Sequence, residues 1–122
     1  LAWIRDQWPR KLLLKGVLNT EDAQRSQAIG CDGIILTNHG GRQLDGCVSA
    51  LEVLSDIVAS VNADMTVLID GGFRRGTDVV KALALGADGV MLGRATLYGL
   101  AAGGQAGVEH ALGLLTEEID RV

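Results

Sequence analysis

The segment LTNHGGRQLDG, residues 36–46, sets an imidazole and a guanidinium three positions apart, with two glycines between them. An arginine presents a planar fork that matches a carboxylate. A histidine exchanges a proton near neutral pH. Carried on one loop, Arg42 could hold an acid by its carboxylate while His39 takes a proton from the neighbouring carbon or its hydroxyl. Gly40 and Gly41 would let a substrate come close to the backbone. The competing reading is a plain turn in which His39 and Arg42 brace nearby carboxylates such as Asp45.

Two more segments suit an anion. LGRATLYG, residues 92–99, puts Gly93 and Arg94 at the start of a helical pattern, where free N–H groups and the helix dipole favour negative charge. DGGFRRG, residues 70–76, offers Gly71 and Gly72 for close backbone approach and Arg74 or Arg75 for pairing with phosphate. Against this stands the reading of glycines as turns and arginines as solvated. Lys15 admits three roles: a Schiff-base amine, an electrostatic partner for a cofactor, or a surface lysine.

The elements that must carry these residues are legible as apolar runs. LLLKG (12–16), GIILTN (33–38), TVLIDGG (66–72) and GVMLGR (89–94) are short, apolar on both faces, and end in polar or glycine-bearing residues. Buried parallel strands read this way. Helical patterns lie between them. One runs from an Asn19 or Thr20 N-cap to a stop at Gly30, and another opens at Ser49 with Glu52 in capping-box spacing. A third ends at Gly86. RATLYGLAA and GVEHALGLLTEEIDRV predict two closing helices, and residues 1–8 read as the tail of an earlier one, stopped near Pro9.

IGCDGIIL (29–36) and LGADGVML (85–92) repeat one another, two strand–helix units of about 28 residues apart. Alternating strand and helix with short connections means parallel α/β. An open doubly wound sheet and part of a (β/α)8 barrel both fit; a full barrel needs eight units and about 250 residues, and four are present. In either fold, sites gather beyond the C-terminal ends of the strands. All four strand ends here carry charge or glycine.

Composition narrows the class. Of 122 residues, 48 % are apolar and only 3 % aromatic, so aliphatic side chains must fill a globular core. The net charge of −4 argues against nucleic acid as the partner. No run is long and apolar enough to span a membrane, and residues 1–8 lack the pattern of a signal peptide. Cys31 and Cys47 lack metal-type spacing, so no metal site is expected; a core thiol and a loop thiol in a cytoplasmic protein fit better. His110 reads as a surface residue. Trp3, Trp8, Phe73 and Tyr98 are too scattered for a stacking platform and read as packing.

TNHGGRQLDG together with DGGFRRGTDVVKALALGADGVMLGR resembles the FMN-dependent α-hydroxy-acid dehydrogenase and oxidase family, which includes glycolate oxidase, lactate oxidase and dehydrogenase, and mandelate dehydrogenase. The likeness runs in order from about Trp3 to the C-terminus, with the mandelate and lactate dehydrogenase branch nearest. It implies an oxidoreductase, a flavoprotein that oxidises a small L-2-hydroxy acid to the 2-oxo acid. His39 matches the family's active-site base and a substrate contact. Arg42 matches the carboxylate clamp, and Lys15 the lysine beside the flavin N1 and O2. Thr37 stands where relatives often have a serine that touches FMN. Asp70, Gly71, Gly72, Phe73 and Arg74 match the ribityl and phosphate loop; Gly93 and Arg94 match the phosphate-binding pair.

The resemblance covers the last four units of the family's eight-stranded TIM barrel. Residues 1–122 are therefore expected to be a single domain, the C-terminal half barrel, with the N-terminal half and its further flavin and substrate contacts absent. Such a half leaves strand edges at 12–16 and 89–93 unpaired, which favours self-association or pairing with the missing half. Peripheral membrane association of the longer protein is compatible with the family. Two alternatives remain: another phosphate-binding barrel enzyme of the inosine-phosphate-dehydrogenase type, which shares the Gly-Arg end but not His-Gly-Gly-Arg, and a structural fragment without catalysis.

Overall fold

The four apolar runs pair into one parallel sheet in the order β1-β2-β3-β4, seen in a computed structural model that describes all of residues 1–122. The strands are β1 (Leu13–Val17), β2 (Gly33–Leu36), β3 (Thr66–Asp70) and β4 (Gly89–Met91). The helices are α1 (Ala2–Gln7), α2 (Thr20–Ala28), α3 (Ala50–Ser60), α4 (Gly76–Ala84) and α5 (Arg94–Asp120). A 3-10 turn covers His39–Gly41. No helix is long and apolar enough to cross a membrane.

Sequential strand order decides between the two architectures. Right-handed crossovers between neighbours taken in order lay every helix on one face, whereas a doubly wound sheet carries helices on both. Burial agrees. Ile34, Leu36, Val67 and Ile69 point towards the helices, with Ala23, Leu54, Ile57 and Ala82, and none is more than 3 % exposed. The register sets Leu13, Gly33 and Thr66 in one row of the opposite face, Lys15, Ile35, Leu68 and Gly89 in the next, and Asp70 beside Met91 at the end. Leu13, Lys15, Thr66 and Met91 on that face are exposed. The chain is thus a segment of partial barrel whose inner face is partly uncovered.

The internal repeat has a specific structural meaning. Asp32 N–H donates to the Leu12 carbonyl at 2.8 Å, and Leu12 N–H donates back to Asp32 Oδ2 at 2.9 Å. Asp88 and Val67 make the same reciprocal pair, at 2.8 and 2.7 Å. Each Asp-Gly aspartate ties its strand to the start of the preceding one. Asp32 also takes ion pairs from Arg5 and Lys11, and the Leu12 N–H with these cations holds its carboxyl down to about 2.

Local signals resolve as follows. Asn19, not Thr20, caps α2: its Oδ1 accepts from Asp22 N at 2.8 Å. At α3 the Glu52 carboxylate accepts from both Ser49 N and Ser49 Oγ, which lowers its pKa. The capping box expected at Ser49 and Glu52 is present, and the serine hydroxyl also donates to the glutamate. α5 bends at Gly103 and Gly104 into the two expected helices. One expectation fails: Trp3, Trp8 and Tyr98 are 73, 48 and 59 % exposed. Trp3 lies on α1, which buries none of its residues, and Trp8 follows it directly; Tyr98 lies on α5, where Leu115 alone is buried. Phe73, at 7 %, does join the core.

Candidate active site

Beyond the strand ends lies an open cleft of about 260 Å³, lined by Lys15, His39, Gly40, Arg42, Asp70, Gly71, Gly72, Phe73, Arg74, Gly93 and Arg94 among others. Thr37 is buried beside it and lines an adjoining pocket with Lys15, Asn38, His39 and Cys47. All eleven site residues expected from sequence therefore meet at one end of the sheet.

Each strand delivers its residue by a recognisable device. The β1–β2 register shifts between Lys15 and Val17, leaving Gly16 unpaired at φ +105°. Such bulges re-aim side chains near functional sites, and here Lys15 Nζ reaches Asp70 Oδ2 at 2.5 Å. Asp70, the last residue of β3, also accepts from the Thr37 hydroxyl. That hydroxyl oxygen in turn accepts from His39 N–H at 2.9 Å. One chain of contacts thus joins β1, β3, β2 and the histidine loop.

The loop itself is held in an uncommon shape. His39 has φ +58° and is the only non-glycine residue with positive φ; Gly40 and Gly41 follow at +66° and +72°. A left-handed residue with a Cβ costs about 1–2 kcal/mol, and such outliers concentrate where function needs them. Asn38 supports the turn: its Oδ1 accepts from Gly41 N–H at 3.1 Å and its amide reaches the Val48 carbonyl at 3.4 Å. Sequence reasoning missed this role, although an Asn entering a glycine-rich turn is a known signal for it. Asp45 accepts from Gly46 N–H and pairs with neither His39 nor Arg42, so the bracing-turn reading does not describe this loop. Neither His39 nor Arg42 commits its side chain to a hydrogen bond or ion pair within the chain.

Charge in the cleft runs opposite to charge in the chain. Lys15, Arg42, Arg74 and Arg94 face a single acid, Asp70, which is already paired with Lys15. The surplus of positive charge attracts anions. Arg75 is excluded from this set, because it pairs with Glu118 of α5 at 2.7 Å; Arg74 remains. Gly93 caps α5 without a side-chain bond, and α5 has no acid in its first turn. By contrast α2, α3 and α4 place Glu21 and Asp22, Glu52 and Asp78 in theirs. The α5 N–H groups are the ones left open for an exogenous anion. Positions Gly71 and Gly72, both left-handed, have open space where a side chain would project, with only Asn38 Oδ1 at 3.8 Å from the former. Burial pushes the Cys31 thiol up, which makes it a poor nucleophile.

The whole chain, residues 1–122, matches the family model described as FMN-dependent dehydrogenase. It is 62 % identical over 121 residues to (S)-mandelate dehydrogenase of Pseudomonas putida, covering 99 % of this chain and 30 % of that protein. It is 52 % identical over 120 residues to L-lactate oxidase of a Nostoc species, covering 98 % and 33 %. A crystal structure of (S)-mandelate dehydrogenase, described as a monotopic membrane protein, superposes with a TM-score of 0.93 at 62 % identity over 98 % of this chain and 32 % of its own. The chain spans about a third of the length of these relatives.

Proposed function

The chain belongs to the FMN-dependent dehydrogenase family, and we propose that it is the C-terminal half barrel of an enzyme that oxidises a small L-2-hydroxy acid, of mandelate, lactate or glycolate type, to the 2-oxo acid. The observation that carries this reading is the pairing of an uncommitted His39, in a left-handed backbone, with an uncommitted Arg42 inside a cationic cleft.

The residues present fit FMN. The uncapped α5 N-terminus at Gly93, with Arg94 and Arg74, suits a phosphate dianion. Asp70 can accept from ribityl hydroxyls, and the open left-handed Gly71 and Gly72 admit a ligand against the backbone. Phe73 supports that loop from the core. Lys15 supplies positive charge at the strand end, and Thr37 a hydroxyl beside it. When bound, FMN supplies an acceptor for the two electrons that leave the substrate.

This chain's own residues do the remaining work. Arg42 binds the substrate carboxylate through a bidentate pair and fixes which face of the acid meets His39. His39 takes the proton as the 2-hydroxyl carbon becomes a carbonyl carbon. The bonds of His39 N–H to Thr37 and of Gly41 N–H to Asn38 hold the imidazole's backbone in place through that transfer.

The partly uncovered inner face, with Leu13 and Met91 exposed on it, supports pairing with the other half of an eight-stranded barrel, and self-association where that half is missing. A cytoplasmic location, with the longer protein resting on a membrane surface, accords with the monotopic relative. The test is anaerobic flavin reduction in the full-length protein by lactate, mandelate and glycolate. Arg42→Lys is expected to raise KM for the preferred acid, and His39→Ala to lower the reduction rate by about 100-fold or more. Reduction at the unaltered rate in His39→Ala would overturn the reading.

A further inference from the structure

Arg94 touches more than the anion site. Its Nη2 donates to the carbonyl of Gly40 at 3.1 Å, across 54 positions of sequence. Gly40 sits between His39 and Gly41 in the left-handed run, at φ +66° and ψ +28°. A Cβ built at Gly40 would lie 2.6 Å from Arg94 Nη2 and 3.4 Å from Cζ. Glycine at position 40 therefore serves a close approach of guanidinium to backbone as well as a backbone angle.

Three consecutive loop groups are now accounted for. His39 N–H goes to Thr37, Gly40 C=O goes to Arg94, and Gly41 N–H goes to Asn38. Two of the three partners precede the loop directly in sequence. Arg94 alone reaches it from a distant element, the first residue of α5, and Gly93 beside it is the open cap. A guanidinium has five N–H donors in a fixed plane, so one amino group on Gly40 leaves others free for a phosphate oxygen.

We propose that Arg94 is a positioning residue for His39: one guanidinium holds the Gly40 carbonyl and the cofactor phosphate together, so that filling the phosphate site fixes the histidine loop. The proposal rests on the reading of Gly93 and Arg94 as the phosphate site. Coupling of this kind is reciprocal, so a change in the loop must alter phosphate affinity by the same factor that phosphate alters the loop.

The experiment is an NMR titration of the 15N-labelled 122-residue chain with inorganic phosphate, at pH 7 and constant ionic strength set with chloride. The Arg94 side-chain Nε–H reports binding, and the Gly40 and Gly41 amides report the loop. The expected result is that all three move with a common midpoint. A Gly40→Ala variant, whose methyl presses on Arg94, is expected to weaken phosphate by about tenfold while Lys15 and Asp70 resonances stay in place. If Arg94 shifts on phosphate and the glycine amides do not, the positioning role is wrong and the phosphate site stands. If phosphate leaves the Arg94 signal unmoved, both are wrong. An unchanged phosphate affinity in a folded Gly40→Ala also overturns the coupling.

Discussion

The carboxylate of Asp70 meets the ammonium of Lys15 at 2.5 Å, joining the ends of β3 and β1 across 55 positions of sequence. The pair is not sealed from water: the Lys15 side chain is 45 % exposed and that of Asp70 18 %. Part-exposed ion pairs contribute about 0–1 kcal/mol. Lys15→Met is therefore expected to cost the fold less than about 1 kcal/mol while weakening FMN by about tenfold or more. Urea unfolding and FMN titration of the same variant separate the two effects. A stability loss of several kcal/mol with unchanged FMN affinity would make Lys15 a structural anchor instead.

His39 offers a trade between stability and chemistry. Its left-handed backbone costs about 1–2 kcal/mol with a side chain present, and its imidazole makes no hydrogen bond within the chain. Glycine relieves that strain but adds unfolded-state entropy worth about 0.5–1 kcal/mol. His39→Gly should leave stability unchanged or raise it by up to about 1.5 kcal/mol, and should abolish flavin reduction in the full-length protein. Denaturant melts check the first part. A clear destabilisation would show that the imidazole packs against something that matters.

Asp32 should make the fold sensitive to acid. Its carboxyl is held down to about 2 in the fold by Leu12 N–H, Lys11 and Arg5, against about 3.9 in an unfolded chain. A lowered folded value stabilises above the unfolded one, and that contribution is lost as pH falls from about 4 towards 2. Asp32→Asn should flatten the dependence of unfolding free energy on pH across that window. Glu52, also lowered, contributes a separate part of the slope, so Glu52→Gln is the control. Equal slopes for wild type and Asp32→Asn would remove Asp32 as the source.

Gly33 tests the inner face. A Cβ there would lie 2.8 Å from the Thr66 carbonyl and 3.1 Å from Leu13 Cγ. Backbone on one side leaves no room to yield, so Gly33→Ala should destabilise by about 1–3 kcal/mol. Gly41→Ala meets no atom within 4 Å and bears only the strain of its positive φ. A thermal melt in which Gly33→Ala costs less than Gly41→Ala would contradict the packing of that row.

Much of this was legible in the sequence because it is periodic or local. Apolar runs ending in polar residues gave the strands and the rim, and Asn19 and Gly30 bounded α2. The Asp-Gly repeat was visible, but not that its aspartates tie neighbouring strands. The Arg94–Gly40 and Lys15–Asp70 contacts join residues over fifty positions apart, and no local pattern announces them. Nor does composition reveal that His39 is left-handed, since histidine is an ordinary residue elsewhere. Trp3, Trp8 and Tyr98 were misjudged as packed because burial depends on what lies over a side chain, not on its type.

The most direct test of the account is an FMN titration of the 122-residue chain, followed by flavin fluorescence, beside an Arg94→Ala control. The account predicts saturable binding that the control weakens by about tenfold to a hundredfold, the range of a charge-assisted phosphate contact. Saturable binding of equal affinity in the two proteins would contradict the assignment of this cleft to the cofactor phosphate.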